Sequence, residues 1–331
     1  MNKWQRILTI LLVAQLALGV FVFWPRPAAG SGGQPLLANL TADQITGLAI
    51  TDEQGNTTRL ARQGDAWVAP DAGAYPADAA KITPVLEKLI ALKTGRLIAQ
   101  TPQSHTQLQV ADAEFVRKVD VSVAGGSTQT LYLGSPAGGQ SAHVRLAGQD
   151  SVYLASGLAS WEVDSSLLNW INPVYLSFNA ADLTSLTLKN QNGEFALTRD
   201  AQNNWQLGGL APGETVDQDK VNTLVNSLTS LRLTKPLGKT DDPAWGLASP
   251  TAVVTLIVKN GEQVATTTLT IGAQDATDKS YVVKSSDSEY YVRVAEFIVQ
   301  DLVQRDRAGF LPAPPTPAGT AGPLPFSTPT P

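Results

Sequence analysis

Two stretches decide the fold: "DQITGLAITDEQGNTTRLARQGDAWVA", from Asp43 to Ala69, and "DLTSLTLKNQNGEFALTRDAQNNWQLG", from Asp182 to Gly208. Ile45, Leu48, Ile50, Gly55, Arg62 and Trp67 of the first meet Leu183, Leu186, Leu188, Gly193, Arg199 and Trp205 of the second. In each, alternating apolar positions lead into a Gln-Gly-Asn or Asn-Gly turn and then a second alternating run, the pattern of a β-hairpin. Trp67 and Trp205 follow on a third short strand.

The likeness continues outward. "DAAKITPVLEKLIALKTGRL" from Asp78 answers "DQDKVNTLVNSLTSLRLTKPL" from Asp217, and Leu133-Gly134 answers Ile271-Gly272. Val152-Tyr153-Leu154 answers Tyr290-Tyr291-Val292, and the offset stays near 138 residues throughout. Four blocks in one order at one spacing read as a unit written twice. Ile82, Val85, Leu86, Leu89 and Leu92 form an apolar stripe at helical spacing, as do Val221, Leu224, Val225, Leu228 and Leu231. Asp78 and Asp217 stand where N-caps accept bonds from free backbone N–H groups. Pro84 leaves two readings of the first helix: a kink, or a later start with Thr83 as cap.

Further strands are expected at Val119–Val123, Gln129–Leu133, His143–Leu146 and Ser151–Ala155. Their counterparts are Val253–Val258, Thr267–Ile271, Tyr281–Lys284 and Glu289–Arg293. Short helices around Ser160–Trp170 and Ala295–Arg305 close the units. Short turns and alternation argue for antiparallel sheet over parallel βαβ order. The fold class is α+β, with two tandem copies of a mainly antiparallel sheet unit, one main amphipathic helix in each, and a single transmembrane helix in front.

That leading helix is Ile7 to Trp24, an apolar run that only Thr9 and Gln15 interrupt with polar side chains. As a helix it nearly spans the roughly 30 Å of a bilayer's hydrocarbon core. Lys3 and Arg6 before it outweigh Arg26 after it, which places the amino terminus in the cytoplasm and the body outside. Ala28 and Gly30 also suit signal peptidase, so a cleaved signal peptide is the competing reading, although the run exceeds a signal's apolar region. Pro25 to Asn39 is rich in Pro and Gly and reads as a spacer. "PAPPTPAGTAGPLPFSTPTP" from Pro312 reads as a disordered, partly polyproline tail. The chain thus divides into cap and anchor over 1–30, linker over 31–40, first repeat over 41–178, second repeat over 179–311 and tail over 312–331.

Composition narrows the function. A net charge of -5 and pI near 5.1 disfavour nucleic-acid binding, and there is no cysteine for disulfides, thiolate chemistry or lipid attachment. His105 and His143 have no second ligand at metal spacing. Gly238-Lys239-Thr240 ends like a P-loop, but Leu233 stands where the pattern needs glycine. Neither a G-x-S-x-G elbow nor a G-x-G-x-x-G fingerprint occurs. Asp241-Asp242, Asp217 with Asp219, and Asp275 with Asp278 could bind calcium or flank a glycosidic bond, yet each falls at a turn or helix start that an acid would cap. Trp67 and Trp205 could face a sugar, but their matched positions favour the core. No catalytic, cofactor-binding or metal-ligating residue is assigned.

The succession of anchor, "DQITGLAI" strand, glycine turn, "W" strand, "YPADAAKITPVLEKLIAL" helix and "LYLG" strand resembles the bacterial family called domain of unknown function 4340, over nearly the whole chain outside the tail. The resemblance implies a membrane-anchored extracytoplasmic protein, often linked with components of an ABC-type export or gliding-type transporter. It brings no site residues. Where other members have a Phe-Gly-Leu-type turn, this chain has Trp245-Gly246-Leu247 and, in the first copy, Thr106-Gln107-Leu108. The expected function is a non-enzymatic interaction module in the bacterial cell membrane, single-pass, accessory to a transporter or envelope assembly. The alternative is a glycan- or peptide-binding module with a cleft between the repeats; a hydrolase would require carboxylates or a Ser and His pair converging in a cleft.

Overall fold

In a computed structural model, residues 33–37 and 40–313 are described, together with Gln15. The anchor reading at Ile7 to Trp24 and nearly all of the tail lie outside the described residues. Among those described, no helix is long and apolar enough to cross a membrane.

The described residues form mostly antiparallel sheets with four helices, and the chain divides into two units: Met1–Pro70 with Pro76–Ile171, and Asp71–Tyr75 with Asn172–Pro331. Unit 1 carries β1 (Ile45–Asp52), β2 (Thr57–Gln63), β3 (Ala66–Ala69), β4 (Tyr75–Pro76, shared with unit 2), α1 (Ala79–Ala91) and β5 (Arg96–Ala99). It continues with α2 (Pro102–Gln107), β6 (Arg117–Val123), β7 (Thr128–Pro136), β8 (Ser141–Leu146) and β9 (Val152–Ser156). The sheet order is β4-β3-β2-β1-β6-β7-β8-β9-β5. Register shifts interrupt it at Ile45/Gly47, Leu133/Pro136 and Leu97/Ala99.

Unit 2 carries β10 (Val174–Ser177), β11 (Leu183–Asn190), β12 (Gly193–Arg199), β13 (Trp205–Leu207), α3 (Gln218–Leu228), β14 (Ser230–Arg232) and β15 (Lys235–Gly238). Then come β16 (Ala252–Asn260), β17 (Gln263–Gln274), β18 (Tyr281–Ser285), β19 (Tyr291–Val294) and α4 (Glu296–Gln304). Its main sheet runs β13-β12-β11-β16-β17-β18-β19-β15, and β10 pairs separately with β14. Register shifts fall at Leu183/Ser185, Ile271/Gln274 and Pro236/Gly238 in the main sheet, and at Val174/Leu176 in the β10–β14 pair.

The helix stripes are buried as their spacing predicts. Ile82, Val85, Leu86 and Leu89 of α1 pack with Leu48, Ile50, Val119 and Leu131 in the core of unit 1. Val221, Leu224, Val225 and Leu228 of α3 are buried in unit 2. Each such side chain stabilises by roughly 1.5–3 kcal/mol. Asp78 accepts from Ala80 N at 3.0 Å, and Asp217 accepts from Asp219 N and Lys220 N at 3.1 Å. The helix α1 runs through Pro84 without restarting at Thr83. Proline withholds one N–H from the carbonyl of Ala80, and both residues are exposed, so water can serve that oxygen.

Three expectations need correction. The helix expected around Ser160–Trp170 is two single 3₁₀ turns, Ser160–Glu162 and Leu167–Asn169. Side chains and carbonyls between them are committed elsewhere: Asp164 accepts from Ser166 N, Trp170 Nε1 donates to Asp164 O, and Ser165 Oγ donates to Asp52. Such local bonds compete with a helix. The spacer reading also fails at its end, because Pro35 bridges to Lys93 while Leu36 and Leu37 are buried in the core of unit 1. Finally, the left-handed residue of this turn in unit 1 is Gln109, with φ of 55°, so the turn is Leu108-Gln109-Val110 and not Thr106-Gln107-Leu108. In unit 2 Gly246 has φ of 68°.

These turns explain two glycines. A Cβ on Gly134 would stand 2.0 Å from Leu108 O, and one on Gly272 would stand 2.1 Å from Trp245 O. The turn carbonyl lies directly on the strand, and only glycine leaves it room. Gly134→Ala or Gly272→Ala is expected to lower stability by about 3 kcal/mol in denaturant unfolding, against roughly 1–2 kcal/mol for Gly55→Ala, which has a positive φ but open space around it.

Asp52 ties the first hairpin. Its carboxylate accepts from Gln54 N and Asn56 N at 2.9 Å, from Asn56 Nδ2 at 3.0 Å and from Ser165 Oγ at 2.7 Å. Burial alone would raise its pKa, but these bonds outweigh it and hold the group below its ordinary value. The resulting stabilisation is present above the unfolded pKa and is lost as pH falls through the folded one. Urea midpoints of the wild type should therefore decline below about pH 4, and Asp52→Asn should flatten that decline.

Candidate functional site

Burial selects the surfaces that need explanation. Trp161 is 66% exposed in the turn that follows β9, and Phe297 is 81% exposed as the second residue of α4, which follows β19. Phe297 falls off the buried stripe of Val299, Leu302 and Val303, so helix geometry itself turns it outward. Beside Trp161, Glu162 pairs with Lys88 and accepts from Ala159 N at 2.9 Å. Burial works against its ionisation, yet these donors hold its carboxyl below the usual range. Phe297 borders a cavity of about 680 Å³ whose other walls include Lys220, Gln300, Asp301, Arg305 and Asp306. A second cavity, about 490 Å³, is lined by Lys189, Asn190, Gln191, Pro250, Thr251 and Val253. Neither carries Trp or Tyr.

Asn190 shows how α4 is placed. Its amide donates to Leu302 O at 2.9 Å and Arg305 O at 2.8 Å, serving carbonyls that a helix C-terminus leaves free.

Aromatic rings converge in unit 2. Tyr75 stands edge-on to Tyr290 with centroids 4.7 Å apart, Tyr290 O–H donates to Ala74 O at 2.8 Å, and Tyr175 O–H donates to Tyr290 O at 2.6 Å. Lys239 lies 4.9 Å from the Tyr290 ring and pairs with Glu289 at 2.6 Å. Trp245 packs on Tyr291 at 5.1 Å, and Lys284 approaches the same ring at 5.4 Å. Burial first, then the neighbouring Tyr175 and Tyr290, push the Tyr75 phenol up to about 12. These rings spend their faces on one another and on cations.

The residues weighed for chemistry are dispersed. His105 is buried with Nε2 2.8 Å from Asp150 O. His143 lies 3.1 Å from Ser135 Oγ, a Ser and His pair by distance. Its Nδ1 is also 3.0 Å from the Ser135 carbonyl, and in the tautomer that donates to this carbonyl the nitrogen cannot take the serine proton. Asp242 caps Ala244 N, Asp275 accepts from Thr277 N and pairs with Arg293, and Asp278 accepts from Ser280. Among the described residues no group of three or more His, Cys, Asp or Glu could hold a metal ion. Gly238 ends β15 with φ of 103°, and Lys239 is occupied by Glu289. Trp67 and Trp205 are core residues, each with an arginine over its ring, Arg62 at 5.6 Å and Arg199 at 4.4 Å. Sequence reading missed Leu97, Ile98, Trp161 and Phe297; the one available signal was Phe297 lying outside its helix's apolar stripe.

No curated protein and no solved structure matches the chain. One family model does match, over residues 67–250, more than half of the chain and a narrower span than the resemblance drawn from the residues. By that match the protein belongs to the family described as domain of unknown function 4340.

Proposed function

We propose that the protein is a single-pass, membrane-anchored extracytoplasmic interaction module, non-enzymatic, made of two copies of one unit and accessory to an ABC-type transporter or another envelope assembly. The two-copy reading is supported by irregularities rather than by the regular ladders that any antiparallel sheet contains. Shifts at Ile45/Gly47, Leu133/Pro136 and Leu97/Ala99 recur at Leu183/Ser185, Ile271/Gln274 and Pro236/Gly238, near the spacing of the sequence blocks. A bulge is specific to its place in a fold. The turn over Gly134 and the turn over Gly272 add a further coincidence.

The anchor reading rests on the Ile7 to Trp24 run and its flanking charges. The docking reading rests on one observation: each unit sets a large aromatic side chain out into solvent just after its last sheet-forming hairpin, Trp161 in one and Phe297 in the other. Exposed aromatic side chains of this size are the residues that anchor protein interfaces. The glycan-binding alternative calls for Tyr or Trp lining a cavity, and the two cavities described have neither.

The experiment is a crosslink and pull-down of the full chain from its own membranes, beside the double substitution Trp161→Ala, Phe297→Ala. Both side chains are exposed, so the variant should keep the wild-type free energy of unfolding within about 0.5 kcal/mol. Transporter subunits recovered with the wild type and lost with the variant are the expected result. Enrichment of glycan without a protein partner would overturn the reading, as would equal recovery with both chains.

A further inference from the structure

The chain enters unit 1 at a fixed corner. Leu36 N donates to Leu92 O and Thr94 N to Gln34 O, each at 2.8 Å, and Leu36 and Leu37 are buried in the core of that unit. Gly33 lies directly on the strand it joins, since a Cβ there would stand 2.0 Å from Thr94 O. Two residues beyond Thr94, β5 begins at Arg96. Its ladder with β9 sets Leu97 opposite Tyr153 and Ala99 opposite Val152, so the shift between them leaves Ile98 without a partner on β9. Irregularities of this kind re-aim side chains. Leu97 is 46% and Ile98 36% exposed, and Lys93 and Arg96 beside them are exposed as well. No acid occurs in 33–37, in 93–100 or in β9, a local exception in a chain of net charge -5.

The strand that follows the main helix of unit 2 is covered instead. In β15 Pro236 is buried and Leu237 half-buried. The Asp71–Tyr75 segment of the same unit lies over its end, where a Cβ on Gly73 would stand 2.7 Å from Gly238 Cα, and Tyr290 holds that segment through the Tyr75 ring and the Ala74 carbonyl.

We infer that Lys93, Arg96, Leu97 and Ile98 rest on the anionic lipid headgroups of the membrane that holds the anchor. Linker length selects this occupant. Nine peptide steps separate Trp24 from Gly33. At roughly 3.3–3.6 Å each they reach about 30 Å fully extended, and about 16 Å as a flexible coil. A compact unit of this size is roughly 35 Å across, so the corner that carries Thr94 cannot lie on the far side of unit 1 from the bilayer. Basic side chains are drawn to anionic lipid, each worth roughly fivefold in partition, and the apolar ones beside them enter the interface. From free solution so small a patch would bind weakly. The tether presents it to the surface at an effective concentration in the millimolar range.

This inference rests on the anchor reading, and the test separates the two. The chain has no cysteine, so Ile98→Cys provides a single site for a spin label. The full chain is reconstituted into vesicles of equimolar phosphatidylethanolamine and phosphatidylglycerol and floated after a carbonate wash. The label's collision rates with oxygen and with a nickel chelate are then compared with those of a label at Gln54→Cys, in the β1–β2 turn five strands from β5 in the sheet. A lipid-facing label at 98 and a water-facing one at 54 are the expected result. Lys93→Glu combined with Arg96→Glu should cut the lipid-facing fraction at 98 by about tenfold or more, as should vesicles of phosphatidylcholine alone. Both reversed side chains are exposed, and an unchanged unfolding midpoint checks that the fold is retained. A chain that floats with a water-facing label at 98 overturns this inference and leaves the anchor reading standing, whereas a chain that does not float overturns both. Shielding that the charge reversals leave unchanged, or that grows with the number of chains per vesicle, assigns the patch to a protein contact and overturns the inference too.

Discussion

Each unit depends on one burial: a single helix stripe against one face of an antiparallel sheet. With Ile82, Leu86 and Leu89 removed from water by contact with Leu48, Ile50 and Val119, the first hairpin, the helix and the central strands form one core. An antiparallel sheet tolerates this one-sided cover because its other face can stay solvated. The cost is an open margin. The sheet must end somewhere, and each end is either closed by what the chain lays across it or left with its backbone groups free.

The two units meet this constraint by different means. β15 is closed by proline, by glycine and by a segment pinned under Tyr290, whereas β5 is left with Leu97 and Ile98 outward. The same economy applies to charge. Asp52, Asp78, Asp217, Asp242 and Asp278 each accept bonds from a turn or a helix start, so acids that could have served chemistry instead hold the backbone. Asn190 does the opposite task, donating to the carbonyls at the end of α4.

The aromatic residues divide by the same logic. Trp67 and Trp205 are each buried with a cation over the ring, and the tyrosines of unit 2 fix a segment in place. Trp161 and Phe297 are left over, with no core role.

Much of this was legible in the sequence, because periodicity is a local property. The hairpin turns at Gly55 and Gly193, the helix stripes, the Asp78 and Asp217 caps and the antiparallel character of the sheets follow from spacing and from residue type alone. What the sequence could not decide was set by contacts between residues far apart. A short helix is expected around Ser160–Trp170, but Ser165 is claimed by Asp52, 113 positions earlier, and the helix does not form. Pro35-Leu36-Leu37 looks like linker until Lys93 and the core take it up. The left-handed turn was sought at Gln107 and lies at Gln109, because Gly134 across the sheet is where a carbonyl can be received. The exposure of Leu97, Ile98, Trp161 and Phe297 was invisible for the same reason: an apolar side chain announces that it can be buried, and only the tertiary structure decides whether anything covers it.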